Sequence, residues 1–223
     1  MVHCHIGDRP ALSPALDVRV DTQRSILATR TTTQLLGALH DPGNEPIWEQ
    51  LDQRYRPVLA ALARRLGLGD AEAEEVAQQT LAEFVRAYRA GCYDRGKGRL
   101  SSWLMGIAHK STLASLRDCA KRRAGAINGV SAEIDEPRLR GIWNEERDRE
   151  ILVQALALLR DDSAIQERTL QAFELVALRG VPATEVGAQL GLSTDQVYVA
   201  RSRVTRRLRD VVQQLTGSFE DDT

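Results

Sequence analysis

Apolar residues recur at three- and four-residue steps along most of the chain, the spacing of one helix face. Trp48, Leu51, Tyr55, Val58, Leu59, Leu62 and Leu66 form the first such stripe. Pro57 falls inside it, so a kink or a new helix start is expected there. Gly67 to Asp70 reads as a turn. Val76, Thr80, Leu81, Phe84, Val85 and Tyr88 make a second stripe, with Glu72, Glu74, Glu75, Gln78, Gln79 and Glu83 on the other face. A glycine-rich loop, Gly91 to Gly98, precedes a third, with Leu100, Trp103, Leu104, Ile107, Leu113 and Leu116 as its core side. That helix closes on the basic run Lys121-Arg122-Arg123. The pattern then weakens over 125–148, where Gly125, Gly129, Pro137 and Gly141 stand among charges of both signs. This segment is read as a polar linker, with room for a short helix near Trp143. Helical periodicity returns from about 149 to 215, and no segment reads as a strand. The fold class expected is all-α, two small helical domains joined by the linker. Residues 1–27, with Pro10 and Pro14 and no lasting period, are read as a flexible leader.

The sharpest local signal lies at 181–209. A short helix from Pro182 to Leu190 has proline in its first turn and Gly187 at its middle. Gly191 follows, where a helix-turn-helix needs a left-handed residue. Ser193 and Gln196 have the spacing of a capping box. Val197, Ala200, Val204 and Leu208 then share one face of the next helix. Asp195, Val199, Ser202 and Arg206 project from the opposite face, flanked by Thr194, Tyr198, Arg203, Arg207 and Arg209. Residues 194–209 carry five Arg against one Asp. A helix with an apolar back and an Arg-rich front suits the DNA major groove and its phosphates.

Composition narrows the alternatives. The 223 residues are 43% hydrophobic, enough for a substantial core, which excludes global disorder. A net charge of −1 excludes a uniformly basic coat for nucleic acid but permits local segregation. No apolar run reaches the length of a membrane helix, so no membrane insertion is expected and the cytoplasm is the expected location. Cys4, Cys92 and Cys119 are far apart and odd in number, consistent with reduced thiols. His3, Cys4 and His5 could hold a metal, but a frayed polar terminus is the reading taken, and no cofactor or metal is expected. No P-loop, nucleophile elbow or metal-spaced His/Cys set is present, so no catalytic constellation is expected.

Four segments in this order resemble the extracytoplasmic-function sigma factors, the small two-domain specificity subunits of bacterial RNA polymerase. They are WEQLDQRYRPVLAALARRL at 48–66, DAEAEEVAQQTLAEFVRAY at 70–88, LSSWLMGIAHKSTLASLRDCAKRR at 100–123 and the helix-turn-helix. The resemblance covers about residues 30–215. It implies a region 2-like, promoter-melting domain at 28–124 and a region 4-like domain at 149–216, with 125–148 as linker and 217–223 as an acidic tail. It implies docking on core polymerase through Glu74, Glu75, Gln78 and Gln79. It implies capture of the unpaired −10 strand by the loop before the third helix and the start of that helix, Ser101 and Ser102, with His109, Lys110, Arg117, Lys121, Arg122 and Arg123 along it. Trp103 shares the apolar face and is assigned to the core. The helix-turn-helix would read the −35 element through the residues named above. The partners implied are core RNA polymerase, promoter DNA and an anti-sigma factor or other regulator. Several positions depart from the family pattern. Gln79 stands where an acidic residue is usual, His109-Lys110 where Arg-Asn is frequent, Ala114 where Asp is common and Gly187 where Ala is usual. The competing reading is an autonomous helix-turn-helix regulator whose 48–123 block senses or dimerises.

Overall fold

The computed structural model describes residues 33–39, 41, 45–122 and 134–219. They form eight α-helices, with no strand among the described residues. The helices are α1 (Thr33–Ala38), α2 (Glu45–Arg65), α3 (Asp70–Arg89), α4 (Leu100–Arg122), α5 (Glu136–Arg160), α6 (Glu167–Phe173), α7 (Ala183–Leu190) and α8 (Thr194–Phe219). The leader, the His3-Cys4-His5 cluster and Arg123 lie outside the described residues.

The first stripes fold as their spacing predicts. Leu51, Tyr55, Val58, Leu59 and Leu62 are buried along α2, with Trp48 and Leu66 half-buried at its ends. Pro57 neither ends nor restarts α2, which continues from Glu45 to Arg65. Of the two expectations the new helix start does not occur: the helix is held on its buried side by Val58, Leu59 and Leu62, and packing outweighs the local cost of the proline. In α3, acidic Asp70 and Glu72 occupy the first turn and Arg86 and Arg89 the last, each complementing the helix dipole. Leu100, Leu104 and Ile107 of α4 are buried as expected, joined by Met105 and Ala108. Leu113 and Leu116 are half-buried instead.

The expected linker over 125–148 is helical from Glu136 onward. Asp135 caps α5 by accepting from the Arg138 amide at 3.3 Å, and Pro137 lies within the first turn, where its missing N–H costs nothing. Leu139, Ile142, Trp143 and Glu146 bury the first half of this helix, and Ile151, Ala155 and Leu159 the second. The expected acidic tail over 217–223 also changes at its start. Residues 217–219 continue α8, with Ser218 and Phe219 buried. The apolar stripe of α8 goes on through Val211, Leu215 and Phe219 beyond the four positions predicted.

Two helical groups result, α1–α4 and α6–α8, with α5 packed against both. One core cluster runs from Leu36 and Leu39 through α2–α5 to Val204, Val211, Leu215 and Phe219. A smaller cluster, Ala172, Ala183, Val186, Val197 and Ala200, holds the helix-turn-helix together.

Candidate nucleic-acid interface

The turn between α7 and α8 is built from three local interactions. Gly191 has φ +63°, the left-handed conformation that glycine adopts without steric cost. The Leu192 amide donates to the Gly187 carbonyl at 2.9 Å, closing the turn. A Cβ on Gly187 would lie 2.6 Å from the Leu192 carbonyl oxygen, so the close approach of the two helices depends on glycine there. The capping box forms reciprocally. The Gln196 amide donates to Ser193 Oγ at 3.1 Å, and the Ser193 amide donates to Gln196 Oε1 at 2.8 Å.

With Val197, Ala200 and Val204 buried, the other face of α8 is turned to solvent. Asp195, Ser202, Arg203 and Arg206 are exposed, as are Arg201 and Arg209. Tyr198 and Val199 keep 52% and 50% of their surface, side by side on this front. Thr194 is half-buried at the start of the helix. Arg207 is drawn to the side, its Nε 3.2 Å from Asp162 Oδ2 in the turn after α5. Arg168 of α6, not singled out in the sequence, reaches the same front. It lines a cleft of about 410 Å³ with Asp195, Val199 and Arg203. No sequence signal marks it, because α6 lies outside the helix-turn-helix motif.

The second group of candidates sits on α4. Ser101 and Ser102 are half-buried in its first turn, and His109 is half-buried with Nε2 enclosed and without a hydrogen-bond partner. Lys110, Arg117, Lys121 and Arg122 are exposed. Lys110, Arg117 and Lys121 fall on one face at helical spacing and form a basic stripe. Asp118 lies 3.3 Å from Lys121, and Arg122 donates to Cys119 Sγ at 3.2 Å. Trp103 packs against the core as expected, yet remains half-buried. Its ring lies 5.3 Å from Phe84, and Tyr93 stacks on it at 5.3 Å with a 22° interplanar angle. Tyr93 comes from the loop before α4, and Tyr88 lies 6.1 Å beyond it. The result is a half-open aromatic stack next to Ser101 and Ser102, and Tyr93 is the member that the periodicity did not reveal.

Glu74, Glu75, Gln78 and Gln79 all lie exposed on α3. Three of them are engaged. Arg64 bonds Asp70 and Glu74, each at 2.7 Å, and these bonds hold its guanidinium above its ordinary pKa. Gln79 donates to Glu75 at 3.0 Å. The face is thus less negative than its composition suggests. Gln78 also borders a cavity of about 850 Å³ between α2 and α3, lined by Trp48, Leu51, Leu81 and Val85.

Among the described residues no cluster of His, Cys, Asp or Glu could hold a metal ion, and no helix is long and apolar enough to cross a membrane. Residues 51–123 match the family description Sigma-70 region 2, which spans most of α2, all of α3 and α4. The chain is 26% identical over 184 residues to the ECF RNA polymerase sigma factor SigE of Mycolicibacterium smegmatis, covering 81% of this chain and 67% of that protein. It is 24% identical over 169 residues to the ECF RNA polymerase sigma factor RpoE of Cereibacter sphaeroides, covering 73% of this chain and 91% of that protein.

Proposed function

We infer, from a chain that carries a sigma-70 region 2 domain and is distantly homologous to the ECF sigma factors, that it binds core RNA polymerase and brings it to promoters. That family is non-enzymatic, and the chemistry is the polymerase's own. The division of labour proposed is a region 2-like unit over 28–124 and a region 4-like unit over 149–216. In the first, the exposed basic stripe of Lys110, Arg117 and Lys121 contacts phosphates. The half-open stack of Tyr93 and Trp103, with Ser101 and Ser102, faces a displaced −10 base. Melting is then a population shift, because unpaired bases gain these contacts only in the open duplex. Glu74, Glu75, Gln78 and Gln79 meet the polymerase, where their charge gives complementarity and encounter rate more than affinity.

The observation that carries −35 reading is the front of α8. Val199 and Tyr198 stand half-exposed among Ser202, Arg203 and Arg206, on a helix whose back is sealed by the helix-turn-helix core. An apolar Val199 can meet a thymine methyl, and Arg203 can fork onto guanine. Arg207, held by Asp162, braces the motif in the free chain and reaches phosphate only on giving up that pair.

The test is gel filtration of the full chain with bacterial core RNA polymerase. Co-elution in roughly equal amounts is expected, with loss of the complex on Glu75→Lys combined with Gln78→Lys. If the chain ignores polymerase yet shifts duplex DNA alone, the autonomous regulator replaces the sigma reading.

A further inference from the structure

A cleft separates α6 from the first turns of α8. Its larger hollow, about 410 Å³, has Arg168 and Thr169 on one wall and Asp195, Val199 and Arg203 on the other. A smaller hollow, about 230 Å³, shares Gln166, Thr169 and Arg203 with it and includes Arg207. The arginines around this cleft are used differently. Arg207 is taken by Asp162 at 3.2 Å, and Arg160 by Glu174 at 2.9 Å. The guanidiniums of Arg168 and Arg203 make no hydrogen bond or ion pair among the described residues, and both side chains are exposed. Glu167, next to Arg168 in the chain, accepts instead from Gln171 at 3.1 Å. Asp195 is the one carboxylate among the described residues that line the larger hollow, and it pairs with neither arginine. The hollow is left with two cations against one anion. Arg168 is also held in place relative to the exposed front of α8. Ala172 of α6 is buried with Val197 and Ala200, and Phe173 is buried in the main core.

We propose that Arg168 is a phosphate anchor: one phosphodiester of the DNA backbone seats in this cleft on Arg168, and Arg203 across it is left for the bases. The proposal rests on the promoter reading above. A phosphodiester carries one negative charge, which is what the hollow lacks. The planar guanidinium can fork onto two of its oxygens, a geometry that an ammonium does not supply. Asp195 repels an anion from its own wall, so the phosphate settles on the α6 side. Contacts to phosphate fix register and orientation, while contacts to base edges specify sequence. A side chain on α6 that grips the backbone therefore sets how α8 lies in the groove, a task the recognition helix cannot perform for itself. The place of Arg168 outside the helix-turn-helix is what suits it to this role.

Filter binding of the full chain with bacterial core polymerase tests this, on a pool of promoter duplexes randomised at the −35 element. Arg168→Ala should weaken every bound sequence by the same factor and keep their ranking. The loss should be about 3.5 times larger at about 50 mM salt than at about 200 mM, the change that one lost phosphate contact makes. Arg168→Lys should restore the salt dependence without restoring the full affinity. A neutral methylphosphonate is then placed at each backbone position of the tightest duplex in turn. One position should weaken the parent and leave Arg168→Ala unaffected, a coupling that a merely structural role does not produce. Arg168 is exposed, and circular dichroism checks that each variant is folded. The proposal is overturned if Arg168→Ala keeps the parent's affinity and salt dependence, if it reorders the sequences, or if every methylphosphonate acts alike on parent and variant. If the polymerase complex selects no duplex but the free chain binds DNA with the same Arg168-dependent salt slope, the anchor stands and the promoter reading falls. If neither form binds DNA, both fall.

Discussion

At the scale of single residues, the turn of the helix-turn-helix was open to inspection in the sequence. Ser193 and Gln196 stand three apart, and that spacing alone specifies the reciprocal cap that forms. Gly191 is explained by its positive φ. Gly187 is explained by the carbonyl that faces it, since a Cβ 2.6 Å from the Leu192 oxygen forces the turn apart. Gly187→Ala should therefore destabilise the chain by about 1–3 kcal/mol, the usual range for overpacking. Thermal unfolding measures it, and an unchanged midpoint would show that the turn opens without penalty. Arg203→Ala on the exposed front should weaken binding to a −35-type duplex by about 1–3 kcal/mol and relax preference at one position if Arg203 reads a base. A uniform loss across sequences, with a salt slope reduced by about one, would make it a phosphate contact instead. Arg54, Tyr93 and Arg168 were not legible. Arg54 sits between Leu51 and Tyr55 and reads as a solvated residue, yet it is fully enclosed, and burial pulls its guanidinium below its ordinary pKa. Its use depends on Ser218, which no local pattern connects to it.

Among the elements, those with an unbroken apolar stripe were readable, and α2, α3 and α8 follow their spacing closely. The exception is α5. Pro137 and Gly141 read as breakers, and Glu146 occupies a core position, so the period is masked where the helix begins. None of the three obstructs the helix. Pro137 lies in the first turn, Gly141 meets nothing within 4 Å, and Glu146 is neutralised by Arg65 and Arg149. A helix packed along its whole length should protect its amides along its whole length. Hydrogen exchange is expected to be as slow over 139–148 as over 151–159, whereas a linker would exchange its first half rapidly. Trp143→Ala, at a side chain 3% exposed, should cost about 3–5 kcal/mol of stability, as large aromatic deletions in cores do. Denaturant unfolding measures it, and a loss under about 1 kcal/mol would mean that this half of α5 is dispensable to the core.

For the whole molecule, charge balance and charge placement say different things. The net charge is −1, yet α4 ends in Lys121 and Arg122 and the front of α8 carries Arg201, Arg203, Arg206 and Arg209. Free chain should hold a −35-type duplex weakly, and raising salt from about 50 to 200 mM should weaken it further by counterion release. Polymerase-bound chain should hold the promoter far more tightly, and a filter-binding titration at both salts compares the two. Two helical groups could be counted from the stripes, but their packing on each other could not. The residues that join them, Arg54 with Ser218 and Arg65 with Glu145, lie 164 and 80 positions apart, and each looks like an ordinary member of its own helix. One further property follows from α8 being a single unbroken helix of 26 residues, about 39 Å long. Its first turns carry the exposed front of Tyr198, Val199 and Arg203 and its last turn carries Phe219, buried against α2, so the two ends move as one lever. A ligand at the near end that shifted the helix would be felt at the far end, and linkage makes any such coupling mutual by the same factor. Under the promoter reading, DNA held at the front would then be registered in the packing of α8 on α2, across about 39 Å of helix in all.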